Sequence, residues 1–240
     1  MHLFISDLHL SADRVETVRL FLRFLDQRAA AAGHLYILGD LFDAWIGDDD
    51  TSAPIPEVVS ALRRLSDSGT RLWLMHGNRD FLLGDDFCRA TGGTLLTDPS
   101  LIDLYGVPTL LMHGDLLCSD DLAYQQFRRQ VRQPGFVQRL LALSLEERRA
   151  EARRYRAQSQ EANSLKPEAI MDVNPETVTS YLREYGARRL IHGHTHRPAE
   201  HRFTLDGEAA RRYVLGEWHA DRAEIISVTP DGLSRDSFTA

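Results

Sequence analysis

Short, nearly continuous apolar runs recur along the chain, separated by longer amphipathic stretches. The runs are Leu3-Phe4-Ile5-Ser6, Leu35-Tyr36-Ile37-Leu38, Leu72-Trp73-Leu74-Met75-His76, Thr109-Leu110-Leu111-Met112 and Leu190-Ile191. Runs of that length without polar alternation predict strands buried on both faces. Between them, Val15, Val18, Phe21, Leu22 and Leu25 follow helical spacing and predict a helix over residues 15–32, ended by Gly33. A second helix is predicted over residues 54–65. A third opens at Asn174-Pro175-Glu176, where proline suits the first helical position, and ends at Gly186. Beyond His196 the pattern returns to strands, over residues 200–205, 212–215 and 223–228. The pattern therefore predicts an α/β fold with two packed sheets flanked by helices, and no internal repeat.

The polar residues at the ends of these runs change the picture. The runs end in Asp7-Leu-His9, Gly39-Asp40, Gly77-Asn78-Arg79-Asp80, His113-Gly-Asp115 and His192-Gly-His194-Thr-His196. In open α/β sheets, ligands bind outside the carboxyl ends of the strands, so these polar residues are expected along one rim. Each motif alone is a common turn or strand-end cap. Five in series supply carboxylate, amide and imidazole donors without a thiolate, which suits Mn, Fe, Zn or Mg and argues against a structural zinc site. A carboxylate can bridge two cations about 3.5–4 Å apart. Asp40, in a Gly-Asp turn midway through the set, is the expected bridge.

Composition narrows the class. The chain has 240 residues and a formal net charge of −7, which argues against general nucleic-acid binding. Two distant cysteines, Cys88 and Cys118, form no disulfide framework and point to a reducing compartment. No apolar run reaches membrane-spanning length and the first strand starts at once, so neither a signal peptide nor an anchor is expected.

Residues 121–167 depart from this balance. Between Leu122 and Ile170 ten Arg plus Lys face five Glu, a local excess of +5. Tyr124, Phe127, Val131, Phe136, Leu140, Leu141, Leu143 and Leu145 interleave with these charges at helical spacing. Such a block can lie on an anionic membrane surface, cover an acyl chain, or simply complete the core as a helical pair. Lys166 is the only lysine among 28 basic residues. Ser159, Asn163 and Lys166, spaced by four and three, can share one helix face.

The ordered series of ligand motifs resembles the calcineurin-like metallophosphoesterase superfamily. Longer stretches, Tyr36 to Asp50, His76 to Gly84 and Ile191 to Pro198, are similar to one branch, the UDP-2,3-diacylglucosamine pyrophosphatases of lipid A synthesis. The similarity runs from about residue 2 to Gly216-Glu-Trp-His219 and includes Ala162-Asn-Ser164 and Ala169 to Asn174. The resemblance implies a four-layer α-β-β-α sandwich in one domain over residues 1–240, with a helical lid inserted at about 121–167. It implies two Mn²⁺ ions: one on Asp7, His9, Asp40 and His196, the other on Asp40, Asn78, His113 and His194. It further implies substrate contacts from Asn78, Arg79, Asp121, Ser159, Asn163, Lys166 and His194. Asp40, Asn78, His113 and Arg79 are the expected catalytic set. His192 and Asp115 are expected to orient ligands, while His34, His76, His201 and His219 are expected at the surface or in packing.

The implied reaction is hydrolysis of the substrate's pyrophosphate by water activated between the two cations, giving UMP and 2,3-diacylglucosamine 1-phosphate. The implied location is peripheral, on the cytoplasmic face of the bacterial inner membrane, as a monomer and with no nucleic-acid partner. Arg79 is a departure from the wider superfamily, which usually has His after the Asn. A guanidinium stays protonated and is a poor acid but a good fork for phosphate oxygens. That suits a pyrophosphate, whose leaving group is already acidic. Arg79 paired with Asp80 or Asp85 is the structural alternative. Other functions left open by the residues are a metallophosphoesterase for a soluble nucleotide diphosphate, a non-enzymatic scaffold, and a membrane-surface module with a structural metal site.

Overall fold

A computed structural model describes residues 1–164 and 170–239, without the side chains of residues 160 and 162–164. The first half alternates strand and helix: β1 (His2–Ile5), α1 (Val15–Gln27), β2 (His34–Leu38), α2 (Ile55–Asp67), β3 (Arg71–Met75), α3 (Asp85–Thr91) and β4 (Thr94–Leu96). A hairpin of β5 (Ser100–Leu104) and β6 (Val107–Leu111) comes next. Then come α4 (Leu122–Val131), α5 (Pro134–Leu141), α6 (Leu145–Ser164) and α7 (Pro175–Glu184). The chain closes with β7 (Arg189–His192), β8 (Ala199–Leu205), β9 (Glu208–Val214), β10 (Arg222–Thr229) and β11 (Gly232–Thr239).

Two sheets form, in the orders β11-β10-β1-β2-β3-β4 and β5-β6-β7-β9-β8. β1, β2, β3 and β4 pair in parallel, as do β6, β7 and β9. Alternation along each strand sorts residues between layers, because successive side chains leave opposite faces. Leu3, Ile5, Leu35 and Ile37 join Phe21, Phe24, Val58 and Leu62 of α1 and α2 in one core. Phe4, Tyr36, Leu38 and Met75 meet Leu111, Ile191 and Tyr213 of the second sheet in another. Leu110, Met112 and Leu190 pack against Val178 and Leu182 of α7 in a third. Three cores between four layers give the α-β-β-α architecture expected from the sequence.

The differences have local causes. The ligand-bearing strands do not share one sheet: β1, β2 and β3 belong to the first, β6 and β7 to the second. The rim is thus built across the gap between two sheets. The first helix stops at Gln27, and a short 3-10 turn at Ala29–Ala31 carries the chain to Gly33. The elements missing from the sequence reading are α3, β4, β5 and β11. β4, β5 and β11 are edge strands. An edge strand half in solvent lacks a continuous apolar run, as the mixed sequences of β5 and β11 illustrate.

α4, α5 and α6 interrupt the strand series between β6 and β7 and are fastened down mainly by arginines. Arg128 meets Asp115 at 2.7 Å and Asp98 at 3.3 Å. The buried Arg148 binds both carboxylate oxygens of Asp49 and the Ile46 carbonyl. Arg149 donates to Asp50 at 2.7 Å. Much of the local positive charge is therefore matched by acids of the body.

Candidate metal centre and cap groove

The residues at the strand ends are held in an unusual backbone conformation. Asp7, His9, Asp40, His194 and His196 all have positive φ, between 50° and 70°. Among the described non-glycine residues only Tyr105 and Asp206 share it, and each precedes a glycine in a hairpin turn. Left-handed backbone at non-glycine residues costs of order 1–3 kcal/mol each and persists where surroundings over-determine it. Here the surroundings are explicit. Asp7 and His9 donate backbone N–H groups to the Gly39 and Asp40 carbonyls at 3.1 and 3.0 Å. Asp80 accepts from the backbone N–H groups of Asp40, Leu41 and Gly77, locking two loops together. Gly77 lies so close to Asp40 that a Cβ there would strike the Asp40 carboxylate and backbone.

The side chains converge. Asn78 Oδ1 lies 3.0 Å from His113 Nε2 and 2.9 Å from His194 Nδ1. His9 Nε2 and His196 Nε2 are 3.3 Å apart. Asp40 lies between the two groups, 3.8 Å from His9 Nδ1 through one oxygen and 3.9 Å from His113 Nε2 through the other. Asp7, His9 and His196 offer ligand atoms within 4.8 Å of one another, and so do Asp7, Asp40 and His113. Asp7 Oδ1 and His9 Nδ1 are buried and lack a well-aligned hydrogen bond, Asp7 Oδ1 lying 3.3 Å from His196 Nε2. Buried polar atoms are normally satisfied, so two such atoms in a carboxylate–imidazole cluster fit a divalent metal.

The electrostatics agree. Burial pushes the Asp40 carboxyl up to about 7, helped by Asp80 and Asp7 against the pull of His113. Burial alone would lower His113, yet Asp40, Asp115 and Asp7 raise it to about 9. Likewise burial is outweighed at His196, which Asp7 and Glu217 lift to about 10. Burial drives His9 down to about 3 and His194 to about 4. The metal-free cluster thus balances its carboxylates with imidazolium protons that a cation would displace.

The profile of the calcineurin-like phosphoesterase family matches residues 3–198. This chain belongs to that family. Among curated relatives, the UDP-2,3-diacylglucosamine hydrolase of Pseudomonas paraeruginosa is 56% identical, covering 90% of this chain and 90% of its own. The protein of that name from Chromohalobacter salexigens is 51% identical, over 97% of this chain and 95% of its own. That from Nitrosococcus oceani is 52% identical, over 96% and 92%.

Around the metallophosphoesterase centre, other expected residues take distinct places. Arg79 Nη1 meets Asp43 at 2.7 Å, and its Nε lies 3.7 Å from Asp40, so neither Asp80 nor Asp85 is its partner. Asp121 caps α4 by accepting from the Tyr124 N–H. Ser159 is exposed on α6 and lines the groove under the cap formed by α4, α5 and α6. The Asn163 side chain and Lys166 lie outside the described residues. Asp115 does not bond to a ligand side chain; it receives Tyr124 and Arg128, and so ties the cap to the rim. His192 contacts the Gly193 carbonyl and Arg212. His34 is a packing residue that accepts from Trp73, and His76 bonds to the Leu83 carbonyl.

Three residues at the site were missed by sequence reasoning. Glu217 sits 3.2 Å from His196 Nδ1. Asp43 receives Arg79 from the rim and Arg156 from α6. Tyr124 stacks on His194 with ring centres 6.1 Å apart. Glu217 and Asp43 lie in stretches that carried the family resemblance, Gly216 to His219 and Tyr36 to Asp50, and Tyr124 was read only as part of an apolar helix face. A groove of about 820 Å³ runs from Asp40, Asn78 and His194 under the cap, where Phe81, Phe127 and Phe136 line it.

Proposed function

We propose that this chain hydrolyses the pyrophosphate bond of UDP-2,3-diacylglucosamine, giving UMP and 2,3-diacylglucosamine 1-phosphate in lipid A synthesis. The single observation that carries the reading is the continuous groove, which joins the candidate metal ligands to an aromatic and aliphatic wall under the cap, where Phe81, Phe127, Phe136 and Leu140 stand among arginines. A soluble nucleotide diphosphate would have no use for that wall. The names of the relatives point to the same substrate.

In this reading Asp7, His9, Asp40 and His196 hold one Mn²⁺, and Asp40, Asn78, His113 and His194 hold the other. Cations there supply Lewis acidity to phosphoryl oxygen and acidify water. Arg79 forks onto phosphate oxygens and transfers no proton. Water adds to the phosphorus next to uridine, and the bridging oxygen leaves with the sugar phosphate, a group acidic enough to depart unprotonated. Asp121, Ser159, Asn163 and Lys166 hold the sugar phosphate. Residues 1–240 act as one monomeric domain, and the insertion at about 121–167 is its acyl-binding cap.

We place the protein peripherally on the cytoplasmic face of the inner membrane. No helix among the described residues is long and apolar enough to cross a membrane. Leu122, Phe127 and Leu141 of the cap are exposed, which favours apolar contact with lipid over charge alone. The test is product analysis with UDP-2,3-diacylglucosamine, after chelation and after Mn²⁺ restoration. The expected result is UMP release only with metal. Full turnover in a metal-stripped sample, or none in the loaded protein, would refute the reading.

A further inference from the structure

A second cavity, of about 280 Å³, opens beside the segment Thr195 to Ala199. Thr195 and Arg197, the neighbours of His196, line both this cavity and the cap groove, so the two meet at the metal rim. Its volume suits one base with part of a ribose and is too small for an acyl chain pair. Pro198 and Val214 provide apolar wall. The polar lining is Asp172, Thr195, Arg197, His201 and Arg212. Arg197 donates to Asp172 Oδ2 at 2.7 Å, and Asp172 Oδ1 accepts from the Val173 N–H at 2.7 Å. The Arg212 guanidinium meets His192 Nε2 at 3.2 Å and feels the Asp172 charge. Thr195 Oγ1 is buried without a hydrogen-bond partner.

A carboxylate accepts only and a guanidinium donates only. Asp172, bonded to Arg197 and interacting with the charge of Arg212, therefore offers one acceptor beside two donors. The Watson–Crick edge of uracil presents the complement: two carbonyl acceptors flanking one N–H donor. Cytosine presents an acceptor where uracil has that N–H, and would face the Asp172 carboxylate with a lone pair.

We propose that the cavity lined by Asp172, Thr195, Arg197 and Arg212 binds the uracil base and selects it over cytosine. Asp172 accepts the ring N–H, and Arg197 and Arg212 donate to the carbonyls. Pro198 packs on the ring face, and the Thr195 hydroxyl takes the ribose side. This rests on the function proposed above and adds what that function leaves open, namely how the nucleotide half is recognised. The phosphates would then span from this cavity to the rim, leaving the acyl half to the cap groove.

The test is calorimetric binding of UMP, CMP and inorganic phosphate to the Mn²⁺-loaded full chain, with turnover of UDP-2,3-diacylglucosamine measured separately. UMP is expected to bind at least about tenfold more tightly than CMP, the scale of one charged hydrogen bond. In Asp172→Asn that ratio should fall to near one, and in Thr195→Val both nucleotides should weaken relative to phosphate. Equal binding of UMP and CMP by the wild type would overturn the proposal, whether or not the variants fold. So would a full UMP preference in folded Asp172→Asn. Selective UMP binding without turnover would remove the lipid substrate and keep the base site. Turnover without selectivity would do the reverse.

Discussion

Asp43 receives the guanidinium of Arg156, reaching down from the cap helix α6, through both of its carboxylate oxygens. The same carboxylate takes Arg79 from the metal rim at 2.7 Å. The two arginines hold the Asp43 acid below the usual carboxylate range in spite of partial burial. One carboxylate thus couples cap position to the arginine next to the candidate metal centre. Asp43→Asn should lower kcat/KM by roughly ten- to a hundredfold, the loss of about 1.5–3 kcal/mol of charged hydrogen bonding. Steady-state kinetics on Asp43→Asn, Arg156→Ala and the double variant check it. The double variant should lose less than the sum, because the three groups share one network.

Arg79→Ala should lower kcat/KM by roughly ten- to a hundredfold with bound metal unchanged. Arg79→Lys should recover only part of that, because an ammonium lacks the planar fork. Arg79→His should add no new ionisation near neutral pH to the rate profile. A more active Arg79→His with a new pH limb would show that this position serves as an acid.

Metal binding should release protons. His113 and His196, raised to about 9 and about 10, are protonated at neutral pH in the metal-free protein. Both must lose the proton to act as ligands. Mn²⁺ affinity should therefore rise with pH above 7, by about one to two decades per unit, and flatten as pH passes the two raised values. In the metal-free protein the sign for stability is opposite. Stability from a raised histidine is fully present below its unfolded value of 6.5 and is lost as pH rises through about 10 for His196. Titration calorimetry at several pH values and thermal melts with and without Mn²⁺ separate the two effects.

Gly77→Ala should displace Asp40, since the added Cβ meets the Asp40 carboxylate and main chain. Metal content should fall and kcat/KM should drop by at least about tenfold, for a strain of roughly 1–3 kcal/mol. Gly135→Ala is the control: a Cβ there meets only the end of the Arg139 side chain at 3.8 Å. On a helix it should raise stability by up to about 1 kcal/mol. Elemental analysis and melting curves distinguish the two variants.

Arg148→Ala should loosen the cap. Arg148 is buried, and it spans Asp49, the Ile46 carbonyl and the Leu143 carbonyl. Its loss should cost about 1–3 kcal/mol of stability, discounted because Asp49 is half exposed. KM for the diacyl substrate should rise more than kcat falls, because the groove wall moves while the rim stays in place. Chemical denaturation and kinetics on substrates of different acyl length check this.

The sequence by itself determined the layers and the chemistry. Continuous apolar runs such as Leu35 to Leu38 are compatible only with a strand covered on both faces, and the polar residue after each run had to fall at a strand end. Motif order then carried the family, and with it Asp7, His9, Asp40, Asn78, His113, His194 and His196 as a candidate set. Tertiary structure decided which sheet each strand joined, since parallel runs in β3 and β6 look alike along the chain. It also decided the partners of charge. The arginines of the cap read as a basic surface because sequence counts charges without their neighbours. Folding places Asp43, Asp49, Asp98 and Asp115 against them, from 13 to 113 residues away along the chain. Glu217 and Tyr124 joined the rim for the same reason: nothing local marks a side chain whose role comes from what packs beside it. The left-handed backbone at Asp7, Asp40 and His196 was likewise invisible, because its cost is met by hydrogen bonds between loops that only the folded chain brings together.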